Sequence, residues 1–349
     1  MTVSRARNGL IAAAMAGLLP FAVHAQNGEA AAPIPSTISQ EAALYLEALS
    51  QRPASPPMPS ADQVEIWEAV QAQVTAAFFP NYDAAIARFG VAVEEQQING
   101  VPVVSVTPPN WTDNGKVVVY THGGGYTFMT AKTTLNASAS VAAESGLRVV
   151  SVDYTLAPQS KWEATTAEVV AVVQGLLDEG YAMDDIAIYG DSAGGALAAG
   201  SVLRMRDEGM GMPAAVVLWS PWSDIDTAKG DTYQTLKAHD PLLKIDGMLV
   251  PMALAYADKE DFTNPYVSPI YGDYSIEYPP TLIQGGTREA FLSNFVRHYQ
   301  VLDQAGVDVT LDLYEGMPHV FQYTALDTPE SKIALEKTAA FIRANLGLE

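Results

Sequence analysis

A serine between two glycines is the residue of this sequence best suited to covalent chemistry. Ser192 lies in segment 190–194, which reads GDSAG and fits the pattern G-x-S-x-G. An apolar run at 186–189 precedes it, and a small-residue helical pattern follows from Ala193. In a tight strand-to-helix turn, glycines avoid side-chain collisions and the serine hydroxyl projects beyond the strand. The pattern predicts a nucleophile, and its flanks disfavour the alternative of a glycine-rich loop with an incidental serine.

A run of three glycines indicates a loop with free backbone donors. Segment 122–125 reads HGGG and directly follows an apolar run that ends at Thr121. Acyl transfer generates an oxyanion, which backbone N–H groups stabilise. A phosphate-binding loop would require G-x-x-x-x-G-K-[ST], or G-x-G-x-x-G before a helix, and neither is present. We therefore interpret the run as part of an oxyanion hole rather than as a flexible turn or a phosphate loop.

One histidine lies where a general base is expected. His319 follows the last predicted strand, in segment 316–321, which reads GMPHVF. The other histidines lie in the N-terminal apolar segment, the glycine motif, an insertion and a helical pattern, at positions 24, 122, 239 and 298. A loop beyond a strand end can bring an imidazole to a nucleophile on a neighbouring strand. His319 is thus predicted as the base, with a packing or capping histidine as the alternative.

Alternating strands and helices must position these motifs. Strands are predicted at 91–95, 101–106, 116–121, 148–154, 186–189, 216–220, 281–284 and 309–314. Helices are predicted at 136–145, 164–179, 193–206, 289–305 and 329–346. The first two strands form a hairpin across Asn99-Gly100, a preferred two-residue turn. Apolar strands that alternate with helices predict a mostly parallel, doubly wound, eight-stranded α/β sheet with an antiparallel start.

Two segments lie outside this alternation. Helices predicted at 39–49 and 60–79 precede the first strand, so residues 26–85 are expected to form an N-terminal cap on a catalytic domain at 86–349. Residues 222–271 form an insertion after the carboxyl end of a strand. Because active sites of open α/β sheets lie at that edge, the insertion is expected to contribute to the cap.

The N-terminus predicts export. Arg5 and Arg7 precede an apolar run at 9–23, and a small-residue cleavage pattern ends at Ala25. This is typical of a secretory signal peptide at 1–25 and is too short for a membrane span. The alternative is an N-terminal amphipathic helix. A periplasmic or secreted protein is expected, and without cysteine its fold must be held by packing alone.

Charge and composition exclude several classes of function. The chain of 349 residues has 40 acidic and 19 basic side chains, for a net charge of −21. Such a surface repels nucleic acids and anionic membranes. The absence of cysteine excludes a cysteine nucleophile and zinc–thiolate sites.

Taken together, the motifs resemble the hormone-sensitive lipase-like carboxylesterases of the α/β-hydrolase superfamily. The matching segments are HGGG at 122–125, DYTLAP at 153–158, GDSAG at 190–194, SPW at 220–222, DPLL at 240–243 and PH at 318–319. The resemblance extends from the hairpin to the C-terminus and implies an α/β-hydrolase fold with a helical cap. It implies Ser192 as nucleophile, His319 as base, and oxyanion donors at Gly124, Gly125 and Ala193. No metal or cofactor is implied.

The resemblance also indicates the third member of a catalytic triad. The family usually has an aspartate, followed closely by leucine, in the loop after the penultimate strand. Here residues 284–292 read QGGTREAFL, and Glu289 falls where that acid belongs. A first-turn helix carboxylate is the alternative role for Glu289. The nearby alternatives for the acid are Asp303 and Asp312.

The implied function is hydrolysis of short- to medium-chain carboxylic esters through an acyl-enzyme. The bulky residues Tyr126 and Phe128 beside the glycine motif are expected to bind substrate and narrow the pocket. The same triad could act on a lactone, an amide or a polymer ester, because it does not specify the leaving group. A non-catalytic ligand-binding homologue is disfavoured by the presence of His319. A homodimer is left open.

Overall fold

An eight-stranded sheet forms the centre of the protein. The computed structural model describes residues 33–52 and 56–348, so the predicted signal peptide and residues 26–32 lie outside the described residues. The strands are β1 (Ala92–Ile98), β2 (Val101–Thr107), β3 (Val117–Thr121), β4 (Arg148–Val152), β5 (Ile186–Asp191), β6 (Ala215–Trp219), β7 (Thr281–Gly286) and β8 (Val309–Tyr314).

The strand order is β1-β2-β4-β3-β5-β6-β7-β8. Strand β2 is antiparallel to β1 and β4. The remaining neighbours in the sheet, from β4 and β3 across to β8, pair in parallel. Asn99 and Gly100 both have positive φ, as a type I′ hairpin turn requires. The predicted α/β-hydrolase architecture is confirmed, with β5 beside β3 so that the two motif-bearing strand ends are adjacent.

Helices cover both faces of the sheet. They are α1 (Gln40–Ser50), α2 (Val64–Phe78), α3 (Pro80–Phe89), α4 (Leu135–Ser145), α5 (Trp162–Asp178), α6 (Ala193–Asp207), α7 (Thr232–Thr235), α8 (Val250–Tyr256), α9 (Leu292–Gln304), α10 (Phe321–Thr324) and α11 (Pro329–Asn345). A π-helical turn at Ile245–Leu249 leads into α8. Within the described ranges, no helix is both long and apolar enough to cross a bilayer.

The alternation of side chains along β3 explains the two-layer core. Val117 and Val119 face one apolar layer, which includes residues of α5 and α6. Val118 and Tyr120 face the other, which includes residues of α4 and α11. Because successive strand residues point to opposite faces, a strand covered on both sides must be apolar throughout.

The segment before β1 divides among three places. In α1, Ala42 packs against Met317 and Phe321 beside the last helices. In α2, Trp67 joins the core layer of α5 and α6. The structure also has a helix that the sequence analysis did not predict: α3 begins at Pro80, after the expected end of the preceding helix at 79, crosses the expected boundary at residue 85, and packs on α4. Its buried Ala85 places it in a layer of the catalytic domain.

The insertion after β6 packs closely on the catalytic domain. A Cβ at Gly200 of α6 would collide with the backbone carbonyl of Tyr266 in the insertion. At the other side, a Cβ at Gly125 would collide with the Met252 sulfur of α8. The insertion therefore contacts both the helix after the nucleophile and the glycine motif.

Gly200→Ala is expected to destabilise the protein, although alanine usually stabilises a helix by about 1 kcal/mol relative to glycine. The methyl group has no space against Tyr266, and such overpacking costs about 1–3 kcal/mol. The matched control is Gly247→Ala in the π-helical turn, where the nearest atom to an added Cβ lies 3.9 Å away. Urea unfolding of both variants measures the difference. Equal stabilities would contradict the close contact between α6 and the insertion.

Candidate active site

The nucleophile candidate lies on a strained turn. Ser192 follows β5 with φ 56° and ψ −123°, a conformation that side-chain-bearing residues rarely adopt. A Cβ at Gly190 would collide with the Gly194 carbonyl, and one at Gly194 would collide with the Thr121 carbonyl. The flanking glycines are therefore required by backbone contact. The Ser192 N–H donates to the Trp219 carbonyl (2.8 Å), which anchors the turn to β6.

The structure brings the three predicted catalytic residues together. The distance from His319 Nε2 to Ser192 Oγ is 2.8 Å, and that from His319 Nδ1 to Glu289 Oε2 is 2.7 Å. The three side chains come from loops after β8, β5 and β7, which share one edge of the sheet. Ser192 is 8% exposed, His319 6% and Glu289 0%. The geometry is that of a nucleophile, a base and an orienting acid.

The remaining oxygen of Glu289 is also held. Glu289 Oε1 accepts from the Ser220 hydroxyl (2.8 Å) and from the Gly286 N–H (2.6 Å). The alternative acids lie elsewhere: Asp312 pairs with Lys337 (2.6 Å), and Asp303 accepts from Tyr299 of α9. Of the three acids considered, only Glu289 therefore contacts His319.

The buried carboxylates tune the imidazole. Burial raises the pKa of the Glu289 carboxyl, and the hydrogen bonds that it accepts act in the opposite direction. Burial by itself lowers the pKa of His319, but the hydrogen bond to Glu289 and neighbouring negative charges raise it above its ordinary value of 6.5. Those charges are Glu289, Asp240 and Asp191. The site thus favours the imidazolium that forms when serine is deprotonated.

The glycine motif presents free donors beside Ser192. The Gly123 N–H is occupied, because it donates to Asp191 Oδ1 (2.9 Å). Gly124 and Gly125 have φ of 109° and 62°, and neither N–H donates to another described residue. The Ala193 N–H at the start of α6 is likewise free among the described residues. The three predicted donors therefore lie at adjoining strand ends, where a helix N-terminus favours negative charge.

The loop that carries the glycines is fixed by contacts of His122 and Tyr154. His122 is buried, its Nδ1 lies 2.7 Å from the Gly123 carbonyl, and its ring stacks on Tyr154 at 4.1 Å. The Tyr154 hydroxyl donates to the His122 carbonyl (2.7 Å). Burial lowers the pKa of His122, so this histidine is neutral and structural rather than a second base.

The two residues predicted to bind substrate differ in exposure. Tyr126 is 1% exposed, and its ring stacks on Tyr256 of α8 with centroids 3.6 Å apart. It therefore packs between the glycine motif and the insertion, and its ring does not face an open pocket. Phe128 is half-buried and packs against the same core layer. The position of both residues beside the glycine motif follows from the sequence, but the contact of Tyr126 with α8 required the fold.

Sequence reasoning assigned no role to three supporting residues. Ser220 holds Glu289, as described above, and Asp240 Oδ2 accepts from the Ala290 N–H (2.7 Å). The Phe291 ring lies perpendicular to the His319 ring at 5.1 Å. Ser220 and Asp240 lie in the SPW and DPLL segments, so the signal was present. Their partners are distant in sequence, and only the fold brings them together.

A serine–histidine–carboxylate line at the carboxyl edge of a parallel sheet, with free N–H groups beside it, defines a serine hydrolase of the α/β-hydrolase class. A family model described as alpha/beta hydrolase fold matches residues 118–323. An acetyl-hydrolase of Streptomyces hygroscopicus is 32% identical over 234 residues, covering 67% of this chain and 77% of the relative.

Solved structures agree with this class. The crystal structure of esterase E25 has a TM-score of 0.80 and 30% identity, covering 91% of this chain and 98% of that one. An esterase from the bacterial hormone-sensitive lipase family has a TM-score of 0.77 and 30% identity, covering 88% and 99%. The chain belongs to the hormone-sensitive lipase-like carboxylesterases of the α/β-hydrolase superfamily.

Glu289→Gln is expected to lower kcat by about 10² to 10⁴ with little change in KM. An amide of the same shape cannot stabilise the imidazolium and can select the wrong tautomer. Glu289→Asp is expected to retain more activity than Glu289→Gln, because it keeps the charge. The controls are Asp303→Asn and Asp312→Asn, measured with p-nitrophenyl butyrate. If Glu289→Gln kept more than half of kcat while a control variant lost it, another acid would complete the triad.

The pH dependence of kcat/KM is expected to report His319. The imidazole must be neutral to accept the serine proton, and its pKa is raised. Activity should therefore fall as the pH is lowered through a midpoint above 6.5. In Glu289→Gln the main raising influence is removed while burial remains, so the midpoint should move to lower pH. A pH–rate profile of both proteins checks this, and identical midpoints would disprove the coupling.

Proposed function

We propose that the protein is a serine carboxylesterase that hydrolyses short- to medium-chain carboxylic esters. The observation that carries the proposal is the hydrogen-bonded line from Glu289 through His319 to Ser192. The free N–H groups of the glycine motif and α6 support it. The names of the relatives, an acetyl-hydrolase and esterases, agree with it.

In the acylation half-reaction, Ser192 Oγ attacks the ester carbonyl carbon as its proton passes to His319 Nε2. The carbonyl π electrons become the oxyanion, which accepts hydrogen bonds from Gly124, Gly125 and Ala193. Glu289 holds the Nδ1–H tautomer and stabilises the imidazolium. When the oxyanion collapses, the C–O bond to the alcohol breaks, and the departing oxygen takes the proton from Nε2.

In the deacylation half-reaction, water replaces the alcohol. His319 Nε2 takes a proton from water as the hydroxide oxygen bonds to the acyl carbon. Collapse of the second tetrahedral intermediate breaks the bond to Ser192 Oγ, which recovers the proton from Nε2. The products are a carboxylic acid and the free enzyme, so the cycle uses only residues of this chain and water.

The preference for short acyl chains rests on the packing around the nucleophile. Ser192 is only 8% exposed, and Met252 of α8 lies against Gly125. Phe128 adds bulk beside the same loop. A pocket bounded in this way favours small acyl groups over long ones. Lactones, amides and polymer esters are alternative substrates with the same chemistry.

A chain-length series of p-nitrophenyl esters tests the function, with Ser192→Ala as the control. The wild type is expected to be fastest with acyl chains of about two to eight carbons. Loss of the nucleophile should lower kcat by about 10⁴ to 10⁶. Near-normal turnover by folded Ser192→Ala would refute the mechanism. Fastest hydrolysis of esters with twelve or more carbons would refute the proposed acyl preference.

Export and assembly are proposals of the same kind. The apolar run at 9–23 after two arginines supports a mature protein that begins near Gln26, outside the cytoplasm. Mass spectrometry of the protein from its native host measures this, and an intact Met1 or Thr2 terminus would contradict it.

A homodimer is supported by the edge strand β8, which pairs with β7 alone among the described strands. Light scattering in solution would measure it.

A further inference from the structure

A second buried carboxylate lies beside the catalytic residues without belonging to the triad. Asp191, which directly precedes Ser192, is 1% exposed. Its Oδ1 accepts from the Tyr120 hydroxyl (2.5 Å) and from the Gly123 N–H (2.9 Å). Its Oδ2 accepts from the Tyr323 hydroxyl (3.2 Å).

These contacts join the three parts of the active site. Gly123 belongs to the loop that carries the oxyanion donors, and Tyr120 lies at the end of the strand before it. Asp191 is joined to Ser192 by a peptide bond. Tyr323 lies in α10, four residues after His319. One side chain therefore links the oxyanion loop, the nucleophile and the segment that follows the base.

The glycine loop and the turn that carries Ser192 lie in close contact. A Cβ at Gly123 would collide with Asp191 Oδ2. The Thr121 hydroxyl, on the same strand end as Gly123, also donates to the Gly194 carbonyl (2.7 Å). The loop and the turn are therefore in direct contact, and a small displacement of one would change the distance between Ser192 and the oxyanion donors.

Burying this carboxylate is costly. Among the described residues, its hydrogen-bond donors are two tyrosine hydroxyls and a backbone N–H, and no lysine or arginine pairs with it. A buried charge without a cationic partner destabilises a fold unless its hydrogen bonds compensate. All three donors lie on segments that carry the oxyanion loop or follow the base. The hydrogen bonds that offset the cost of burying Asp191 therefore also fix the positions of these segments.

We infer that Asp191 is a positioning residue that sets the oxyanion loop relative to Ser192 and the base. The inference rests on the proposed ester hydrolysis. Misplacement by about 1 Å can cost about 10²-fold in rate, because the oxyanion hydrogen bonds form fully only in the transition state. Asp191→Ala is therefore expected to lower kcat by about 10- to 100-fold while KM changes little.

Asp191→Asn tests whether the hydrogen bonds of the Asp191 side chain, rather than the space that it fills, position the loop. In Asp191→Asn, Oδ1 can still accept from Tyr120 and Gly123, and the amide nitrogen can donate to the Tyr323 oxygen. It is expected to retain more activity than Asp191→Ala. Tyr323→Phe removes only the link to α10, so a smaller loss of kcat is expected. Both variants keep the inference testable if Asp191→Ala does not fold.

Asp224→Ala is the matched control. Asp224 is also fully buried and accepts from two side chains, Arg297 (2.7 Å) and Tyr271 (3.0 Å), but neither is a residue of the triad or the oxyanion loop. It reports how much activity is lost when a buried carboxylate is removed for structural reasons alone. The midpoint of thermal unfolding is measured for every variant.

The decisive measurement is inhibition by 1,1,1-trifluoro-2-hexanone. Ser192 Oγ adds to its ketone carbon, the π electrons form an oxyanion, and the serine proton passes to His319 Nε2. The adduct therefore uses the same donors as the transition state. In Asp191→Ala, or in Tyr323→Phe if that protein does not fold, the inhibition constant should rise by the factor by which kcat/KM falls. Partial unfolding would reduce the amount of active enzyme and leave the inhibition constant unchanged.

The outcomes are distinguishable. A wild-type protein without ester hydrolysis would refute the proposed function. An active wild type whose Asp191→Ala and Tyr323→Phe variants keep the wild-type inhibition constant would refute the positioning role alone. A loss of activity in Asp224→Ala as large as in Asp191→Ala, at similar thermal stability, would also overturn it. A raised inhibition constant in the Asp191 or Tyr323 variants, absent from Asp224→Ala, supports the inference.

Discussion

The backbone around Ser192 leaves no space for additional atoms, and the active site depends on that contact. Gly190 and Gly194 lie against each other, and Gly194 also lies against the carbonyls at the end of β3. This contact forces Ser192 to a positive φ and brings the start of α6 beside the glycine loop. The nucleophile and its oxyanion donors are therefore neighbours because two strand ends meet without side chains between them.

Buried carboxylates organise the rest of the site. Glu289, Asp191 and Asp240 are nearly inaccessible to water, and each accepts several hydrogen bonds. Their negative charges surround His319 and raise its pKa against the effect of burial. Each carboxylate also anchors a loop, since its donors are backbone N–H groups or hydroxyls of neighbouring segments. The same three carboxylates thus raise the pKa of the base and hold the loops of the site in place.

The insertion is connected to the base through aromatic packing. The Phe291 ring contacts His319 edge to face and stacks on Trp222 at 5.6 Å. Trp222 lies 5.9 Å from Tyr126, which stacks on Tyr256 of α8. A continuous row of rings therefore extends from the catalytic imidazole to the insertion. Tyr126, expected to bind substrate and narrow the pocket, is thereby covered by Tyr256.

The sequence by itself determined the features that depend on neighbouring residues. The HGGG loop and the Asn99-Gly100 hairpin are local, because positive φ at Asn99, Gly100, Gly124 and Gly125 selects glycine or asparagine. The GDSAG turn is recognisable from its glycines, although contact between strand ends is what requires them. The periodicity of apolar residues likewise determined the strands and most of the helices. Helix α3 escaped prediction because proline usually ends a helix, whereas Pro80 lies in the first turn of α3, where its missing N–H removes no intrahelical hydrogen bond.

Only the tertiary structure decided which distant groups meet. The resemblance favoured Glu289 over Asp303 and Asp312 as the acid, and the fold is what brings Glu289 within hydrogen-bond distance of His319. The contacts of Asp191 with Tyr120 and Tyr323 span 71 and 132 residues, and those of Asp240 with the Glu289 loop span 50. Hydrogen bonds act over about 3 Å, whereas local sequence patterns constrain only adjacent turns, so such pairs are defined by strand order and loop packing.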